Sequence, residues 1–486
     1  MALDLAARNG GGHPQVVVPA RPKTLVIAPK SVLGVWDDHL MDNTTEDVYL
    51  YDYHKRAEFF RQAVNPQRGG YFIINWESIR IKDAEVLRKV DWFHVIGDEI
   101  QYAKNRKAQV TQALWKLHTT YRTAMSGTPA DNSPVDLWAP LHWLWPNWYT
   151  SYWAFVHAYT IEEPKLDKDG EDTGYTMVTG VNEDTLPILH KEMEPWYVRR
   201  RKKDVLTDLP DKYYSKITVD LGPKQRRAYD NMKKLMVTWL EDHKDQIVDG
   251  DPIIANAVVV QLIRLQQFAS GYLQPMLDAN GDQVMKRRKK VNKDTGEVEY
   301  IEVPQWIMTE PSAKLDAVME LIEQRKGEPL VIWSWSRAFI NLLASKLDEK
   351  GMLYGKLTGE VPAADRRQYV EDFQMGRLPL FIGTIKAGGV GITLHKSSTA
   401  VFVDRAWNPS HNIQAEDRVH RIGQVEAVQI IDIVARNTVD LGKSQKLTLK
   451  WQWLQKLLGD EVDYNQVVTE LDMSKIIVDV EEEEDE

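Results

Sequence analysis

The chain has 486 residues, 43% of them hydrophobic, and a formal net charge of −10 at pH 7. That length can bury two or more cores, because a single core stops growing well before it. With no cysteine there is neither a disulfide framework nor a Cys-rich zinc site.

In chain order, residues 1–7 carry Asp4 and lack the basic start and long apolar run of an export signal. Short Val- and Ile-rich runs follow at 24–28, 71–74 and 93–96, ending in polar or Gly/Pro turns and separated by helix-like stretches. This is the pattern of buried parallel strands joined by helices. The middle of the chain differs. Residues 137–159 are packed with Trp, 164–184 are polar and Gly-containing and predict a flexible loop, and 253–273 have a helical pattern. The most apolar piece, 253–263, is interrupted by Gln261, followed by Arg264, and too short to span a bilayer. Turn signals at 278–282 and 292–297 bracket the basic run 286–290, predicting an exposed hairpin. Strand-like runs return at 330–333, 378–382, 400–403 and 428–433.

The two groups of runs predict an α/β fold of two doubly wound parallel-sheet lobes with helical protrusions between them. The expected divisions are 1–135 for the first lobe, 136–311 for the protrusions, linking segment and basic hairpin, and 312–445 for the second lobe. Residues 446–486 read as a C-terminal helix and an acidic, solvating tail.

The negative balance weighs against a nucleic-acid surface, which is commonly basic so as to release counterions from phosphate. The charge is segregated, however. An acidic run at 481–486 contrasts with basic runs at 199–203 and 286–290, each of which reads either as a phosphate-contacting surface or as a solvated face.

The strand-like run 93–96 leads into Gly97, Asp98 and Glu99, placing two carboxylates at the carboxyl end of a buried strand, where open α/β sheets hold ligands. Such an Asp can hold Mg²⁺ through water, and such a Glu can deprotonate a water attacking a phosphoanhydride. Alone the pair reads as a helix cap. Three further strings change that reading. Ser126, Gly127, Thr128 and Pro129 follow another predicted strand; GTIKAGGVGITL occupies 383–394; and DRAWNPSHNIQAEDRVHRIGQ occupies 404–424. Gly388, Gly389 and Gly391 let backbone amides approach an anion, while Thr384 and Lys386 add a hydroxyl and a charge. Gln414, Arg418 and Arg421 are spaced to share one helical face, and two guanidinium groups suit the charge on a transferring γ-phosphate.

Together these strings resemble motifs II, III, V and VI of superfamily two helicase-like ATPases of the Swi/Snf type, in a bacterial or bacteriophage form. TLVIAPKSVLGVW (24–36) resembles motif Ia, YFIINWESIR (71–80) motif Ib and PLVIWSWSR (329–337) motif IV. YVRRRKKDVLTDLPDK (197–212) is similar to the segment linking the lobes, and SAKLDAVMELI (312–322) to the start of lobe two. The resemblance implies two RecA-like lobes with ATP and Mg²⁺ between them. Asp98 would hold Mg²⁺ and Glu99 act as base. Gln414, Gly389 and Gly391 would face the nucleotide, and Arg418 and Arg421 would be arginine fingers. Lys30, Ser31, Thr384 and Lys386 would contact the backbone of double-stranded DNA, supported by Trp407 and Asn408. Gln101, Ser126, Gly127 and Thr128 would couple hydrolysis to lobe movement. The implied activity is that of a monomeric, DNA-stimulated ATPase tracking on duplex DNA. A non-hydrolysing DNA-binding or regulatory protein and an RNA helicase stay open, with WNPS and HRIGQ favouring DNA over RNA.

Two departures matter. No GxxxxGK string followed by Ser or Thr occurs, and Gly10 to Gly12 lack the Lys. Residues 1–11 resemble the remainder of the helix which that loop opens, so the expectation is a true start upstream and feeble hydrolysis by these residues alone. Gln101 stands where the family usually has His; it hydrogen-bonds but cannot be charged. Trp138, Trp143, Trp145, Trp148, Tyr149 and Trp153 read as helical packing rather than a base-stacking platform. The 12 His residues are scattered, so no metal beyond Mg²⁺ is expected. Without accessory modules, the cytoplasm of a bacterium or phage-infected host is expected over a nucleus, with no membrane partner.

Overall fold

The computed structural model describes residues 2–5, 21–130, 133–166, 172–200, 202–206, 208–242, 252–291, 298–388 and 391–441. Gly389, the expected C-terminal helix and the acidic tail lie outside the described residues.

The first sheet has six strands: β1 (Ala2–Leu5), β2 (Lys23–Ala28), β3 (Val48–Leu50), β4 (Gly70–Asn75), β5 (Trp92–Asp98) and β6 (Thr119–Met125), in the order β1-β6-β5-β2-β4-β3. From β2 to β6 the strands run parallel, and β1 adds antiparallel to β6, so that Ala2–Leu5 is a strand where the sequence reads the remainder of a helix. Leu25, Val26, Ile27, Phe72, Ile73, Ile74 and Val95 are wholly buried. Both faces of the central strands are covered, so these strands read as unbroken apolar runs rather than alternating ones.

Beyond it, helices Trp138–Leu144, Tyr152–Tyr159 and Leu186–Met193 pack Trp138, Leu141, Phe155, Tyr159 and Leu186 into one core. The aromatic stretch is therefore mainly packing, with Trp148 and Trp153 left at the surface. The predicted loop at 164–184 is instead largely an antiparallel hairpin, β7 (Thr160–Leu166) with β8 (Asp172–Val181). The Thr, Tyr and Val content of β8 favours extended backbone, and Gly180 sits opposite Ile161 where the strands close up.

Strand β9 (Lys212–Val219) follows the linking segment, then helices Pro223–Asp242 and Pro252–Ser270. Next, β10 (Tyr272–Pro275) brackets a hairpin of β11 (Met285–Val291) and β12 (Val298–Pro304) by pairing with β13 (Trp306–Thr309). This is the hairpin expected around 286–290. Lys286 and Arg287 are exposed, and the Arg287 guanidinium lies 4.6 Å from the Tyr300 ring centre.

The second sheet contains β14 (Leu330–Ser334), β15 (Tyr354–Leu357), β16 (Leu380–Thr384), β17 (Thr399–Phe402) and β18 (Val428–Ala435), and β9 completes it. All six are parallel, in the order β15-β16-β14-β17-β18-β9. A strand from the stretch that the sequence assigns to the middle region thus forms an edge of the second lobe. Side-chain caps start two of its helices: Ser312 Oγ accepts from Leu315 N at 3.0 Å and Ser336 Oγ from Phe339 N at 3.3 Å. Both lobes are α/β and doubly wound. Among the described residues no helix is long and apolar enough to cross a membrane.

Candidate functional site

Strand β5 ends in Asp98, and Glu99 then takes a left-handed conformation at φ 52°, ψ 56°. A non-glycine residue there is held by its surroundings against a local penalty. Two indoles brace the turn. Trp36 Nε1 donates to Asp98 Oδ2 at 2.9 Å, and Trp76 Nε1 to the Asp98 carbonyl at 2.8 Å. Gln101 Nε2 donates to Glu99 Oε2 at 2.6 Å, Ser126 Oγ donates to Gln101 Oε1 at 2.7 Å, and Thr128 N donates to Ser126 Oγ at 3.0 Å. The amide of Gln101 donates and accepts at once, linking the acidic strand end to the segment after β6. Burial pushes both carboxyls above their ordinary range, because it disfavours charge. At Glu99 the Gln101 hydrogen bond opposes burial, Asp98 reinforces it, and the Arg418 guanidinium again opposes it.

The second lobe contributes the helix Pro409–Glu416, whose start is capped by Asn408 Oδ1 accepting from Ser410 N at 2.8 Å. From that helix Gln414 Nε2 reaches across to Glu99 Oε1 at 3.4 Å. The sequence spacing predicts Gln414, Arg418 and Arg421 on one helix; the structure corrects this, for the helix stops at Glu416. Arg418 N turns to the Ala415 carbonyl and Val419 N to the Glu416 carbonyl. Leu394 N takes the Arg418 carbonyl at 2.8 Å. Arg418 and Arg421 are brought together all the same. Their Nη1 atoms donate to one acceptor, the Ile392 carbonyl, at 3.4 and 3.0 Å. Burial, then the neighbouring Arg421 charge, lower the Arg418 pKa to about 10.

The other expected residues fall elsewhere. Lys30 and Ser31 are exposed on the short helix Lys30–Val32, and Lys386 is exposed on Ile385–Gly388. Thr384 is buried at the end of β16. Gly391, at φ +68°, lies against this first-lobe turn: a Cβ there would sit 3.1 Å from Val32 Cγ1 and 3.5 Å from the Ser31 carbonyl. Trp407 packs beside Leu221, Tyr229 and Leu265. Gly127 has open space around it.

Sequence reasoning missed Trp36 and Trp76, since nothing in a linear string tells where an indole N–H will point. It also missed a charge cluster under the arginine turn. Arg405 pairs with Glu416 and Asp432, both at 2.6 Å, and Lys212 and the Tyr214 hydroxyl reach Glu416 at 3.1 and 3.0 Å.

Two α/β lobes that meet over a buried acidic strand end, with Gln414 reaching it from the second, fit the helicase-like ATPase class. The SNF2-related domain pattern matches residues 9–269, and the helicase conserved C-terminal domain pattern matches 313–423. The chain belongs to the SNF2-related family. It is 27% identical to the chromatin structure-remodeling complex subunit snf21 of Schizosaccharomyces pombe over 86% of this chain and 33% of that protein. It is 24% identical to an uncharacterized ATP-dependent helicase of Mycoplasma pneumoniae over 93% of this chain and 39% of that protein. Among solved structures, the Sulfolobus solfataricus SWI2/SNF2 ATPase core in complex with dsDNA aligns at 23% identity and a TM-score of 0.36, covering 90% of this chain and 87% of that one. The chain spans 20 to 44% of the length of curated relatives that it matches.

Proposed function

We propose that this chain carries the motor of a DNA-stimulated ATPase that tracks along duplex DNA and remodels DNA or protein–DNA complexes. The observation that carries the reading is the Gln414 to Glu99 hydrogen bond at 3.4 Å, which joins the second lobe to the acidic strand end of the first. The Arg418 guanidinium opposes the upward shift of the Glu99 pKa, which supports a pocket that would draw its base and a cation from opposite lobes.

The donor set fits Mg²⁺ with a nucleotide. Asp98 and Glu99 are buried carboxyls raised by desolvation, the state that a cation relieves, and Mg²⁺ takes one or two carboxylates with substrate phosphates. With ATP bound, Mg²⁺ neutralises charge on the phosphates. Asp98 is the residue to hold it, its Oδ2 oriented by Trp36. Glu99 accepts a proton from the attacking water, and Arg418 and Arg421 meet the charge that builds on the γ-phosphate. The Gln101–Ser126–Thr128 relay ties the state of Glu99 to the segment after β6. No residue among these 486 supplies the Lys of a GxxxxGK loop, so hydrolysis by them alone is expected to be weak.

Lys30, Ser31, Thr384 and Lys386 form the proposed DNA-backbone contacts. The approach of Gly391 to Ser31 and Val32 supports this, because it sets the two contact segments side by side across the lobes. Contacts to phosphate position a protein without reading bases. Both halves of the pocket come from one chain, so the reading needs no second copy. The expected bacterial or phage origin gains no support from relatives drawn from yeasts and plants as well as Mycoplasma, and we propose no compartment.

The test is ATP turnover of the full-length protein with duplex DNA, single-stranded DNA or RNA. Duplex DNA is expected to stimulate most, and Glu99→Gln to abolish turnover while DNA affinity is kept. Undiminished turnover in that variant would remove Glu99 from its role, and stimulation by RNA alone would replace the substrate.

A further inference from the structure

The exposed turn Lys30–Val32 runs straight into the helix Leu33–Asn43, for Leu33 already has right-handed helical backbone where the turn ends. Leu33 and Leu40 bury this helix against Val26, Ala28 and Ile73, and Val32 and Trp36 pack on the same cluster. Its beginning meets the second lobe. A Cβ on Gly391 would lie 3.1 Å from Val32 Cγ1 and 3.8 Å from Val35 Cγ2. One turn on from Val32, half-buried Trp36 donates from Nε1 to Asp98 Oδ2 at 2.9 Å. One packed element therefore touches the second lobe, presents Lys30 and Ser31 at the surface, and holds an oxygen of Asp98.

The two indoles at the acidic strand end divide the work. Trp76 is buried and takes the Asp98 main-chain carbonyl, so it fixes the turn whichever way the carboxylate faces. Trp36 takes a carboxylate oxygen, so it fixes the side chain itself. An indole N–H only donates; it restrains the carboxylate without removing its charge or competing with it for a cation. Mg²⁺ demands near-ideal octahedral geometry, which makes the rotation of a ligand carboxylate matter. We propose that Trp36 is a positioning residue that ties the orientation of the Asp98 carboxylate to the placement of the Lys30–Val32 turn, so that duplex DNA on that turn and the second lobe beside it set the group that holds Mg²⁺. This rests on the reading of Asp98 as the Mg²⁺ carboxylate and of Lys30 and Ser31 as backbone contacts. The stimulation of turnover by DNA then has a short physical route, from the turn through one helical turn to one hydrogen bond.

Trp36→Phe removes the donor and keeps an aromatic ring. In the full-length protein it is expected to lower DNA-stimulated kcat roughly 10-fold, the scale on which loss of a group orienting a metal ligand is felt, while duplex affinity is retained. The ratio of turnover with duplex to turnover without it is expected to fall toward one. A second readout involves no turnover. In the Glu99→Gln background with ATP and duplex present, the Kd for Mn²⁺, followed by the electron paramagnetic resonance of the ion, is expected to rise about 10-fold on adding Trp36→Phe. Should Trp36→Phe not fold, benzothienylalanine at position 36 keeps the shape of the indole and replaces only its N–H. An unchanged Mn²⁺ Kd, or turnover that falls by one factor with and without duplex, overturns the proposal, as does a loss of melting temperature and duplex affinity with the Mn²⁺ Kd unmoved, the result of packing alone. If Asp98→Asn in that background binds Mn²⁺ as tightly as its parent, the failure lies with the function proposed above, and the Trp36 proposal falls with it.

Discussion

Glu99, the proposed base, is a carboxyl whose surroundings argue against its charge, and a general base must be ionised to work. Burial is the larger influence and raises its pKa, while the Gln101 hydrogen bond acts the other way. DNA-stimulated kcat is therefore expected to fall on the acid side through a midpoint above the ordinary carboxylate range. Gln101→Leu removes a lowering influence, so that midpoint should move to higher pH, and the link to Ser126 is lost with it. A pH–rate profile of the two proteins checks both points; a midpoint that stays put or moves down in the variant separates the limb from Glu99. Gly97, just before the acidic pair, shows how little room the turn has. A Cβ there would lie 2.8 Å from Ile100 Cδ1 and 3.3 Å from the Trp76 ring, whose N–H holds the Asp98 carbonyl. Gly97→Ala is expected to cost about 1–3 kcal/mol by overpacking and to lower turnover with it, measurable by denaturant melts alongside kcat.

Among the elements, the helix Pro409–Glu416 ends on a buried carboxylate. Burial alone would raise the Glu416 pKa, but Arg405 and Lys212 outweigh it and hold the group below its ordinary range. A depressed carboxylate stabilises the fold above its unfolded pKa, and that stabilisation is lost as pH falls through the folded value. Glu416→Gln is expected to destabilise the second lobe by about 3 kcal/mol at neutral pH, with the difference shrinking in acid; melts from neutral pH downward test this. The same helix shows what a sequence reveals. Strands such as β2, β4, β14 and β16 are legible because burial on both faces forces unbroken apolar runs. The acidic strand end and the arginine string are legible because their chemistry is local. What escapes are long-range commitments. Spacing alone extends the helix to Arg421, but it stops at Glu416, and in the turns beyond it Leu394, from another segment, takes the Arg418 carbonyl. Strand β9 alternates in burial like a solvent-facing strand, and its partner Val428–Ala435 lies far along the chain. The β7–β8 hairpin hides behind polar composition, and the pairing of Lys202 with Asp417 behind a run of like charges.

For the molecule as a whole, a net charge of −10 would leave the proposed DNA affinity to a few placed cations rather than to an overall field. Lys386→Ala is expected to weaken duplex binding alike on unrelated sequences and to reduce the slope of log affinity against log salt by about 1. Titrations at several salt concentrations on two sequences measure this, and a loss confined to one sequence would mean base contact instead. The main-chain crossing between the lobes is also narrowly bounded. Tyr197 packs against the first-lobe and protrusion cores, whereas Lys202 is already tied to Asp417 and β9 is laced along β18. In the proposed motor, a swing of one half against the other would fall to the peptide bonds that join these two anchors. Stiffening them with proline should freeze the stroke while leaving nucleotide and DNA affinity intact, a separation that distance measurements between the halves would register.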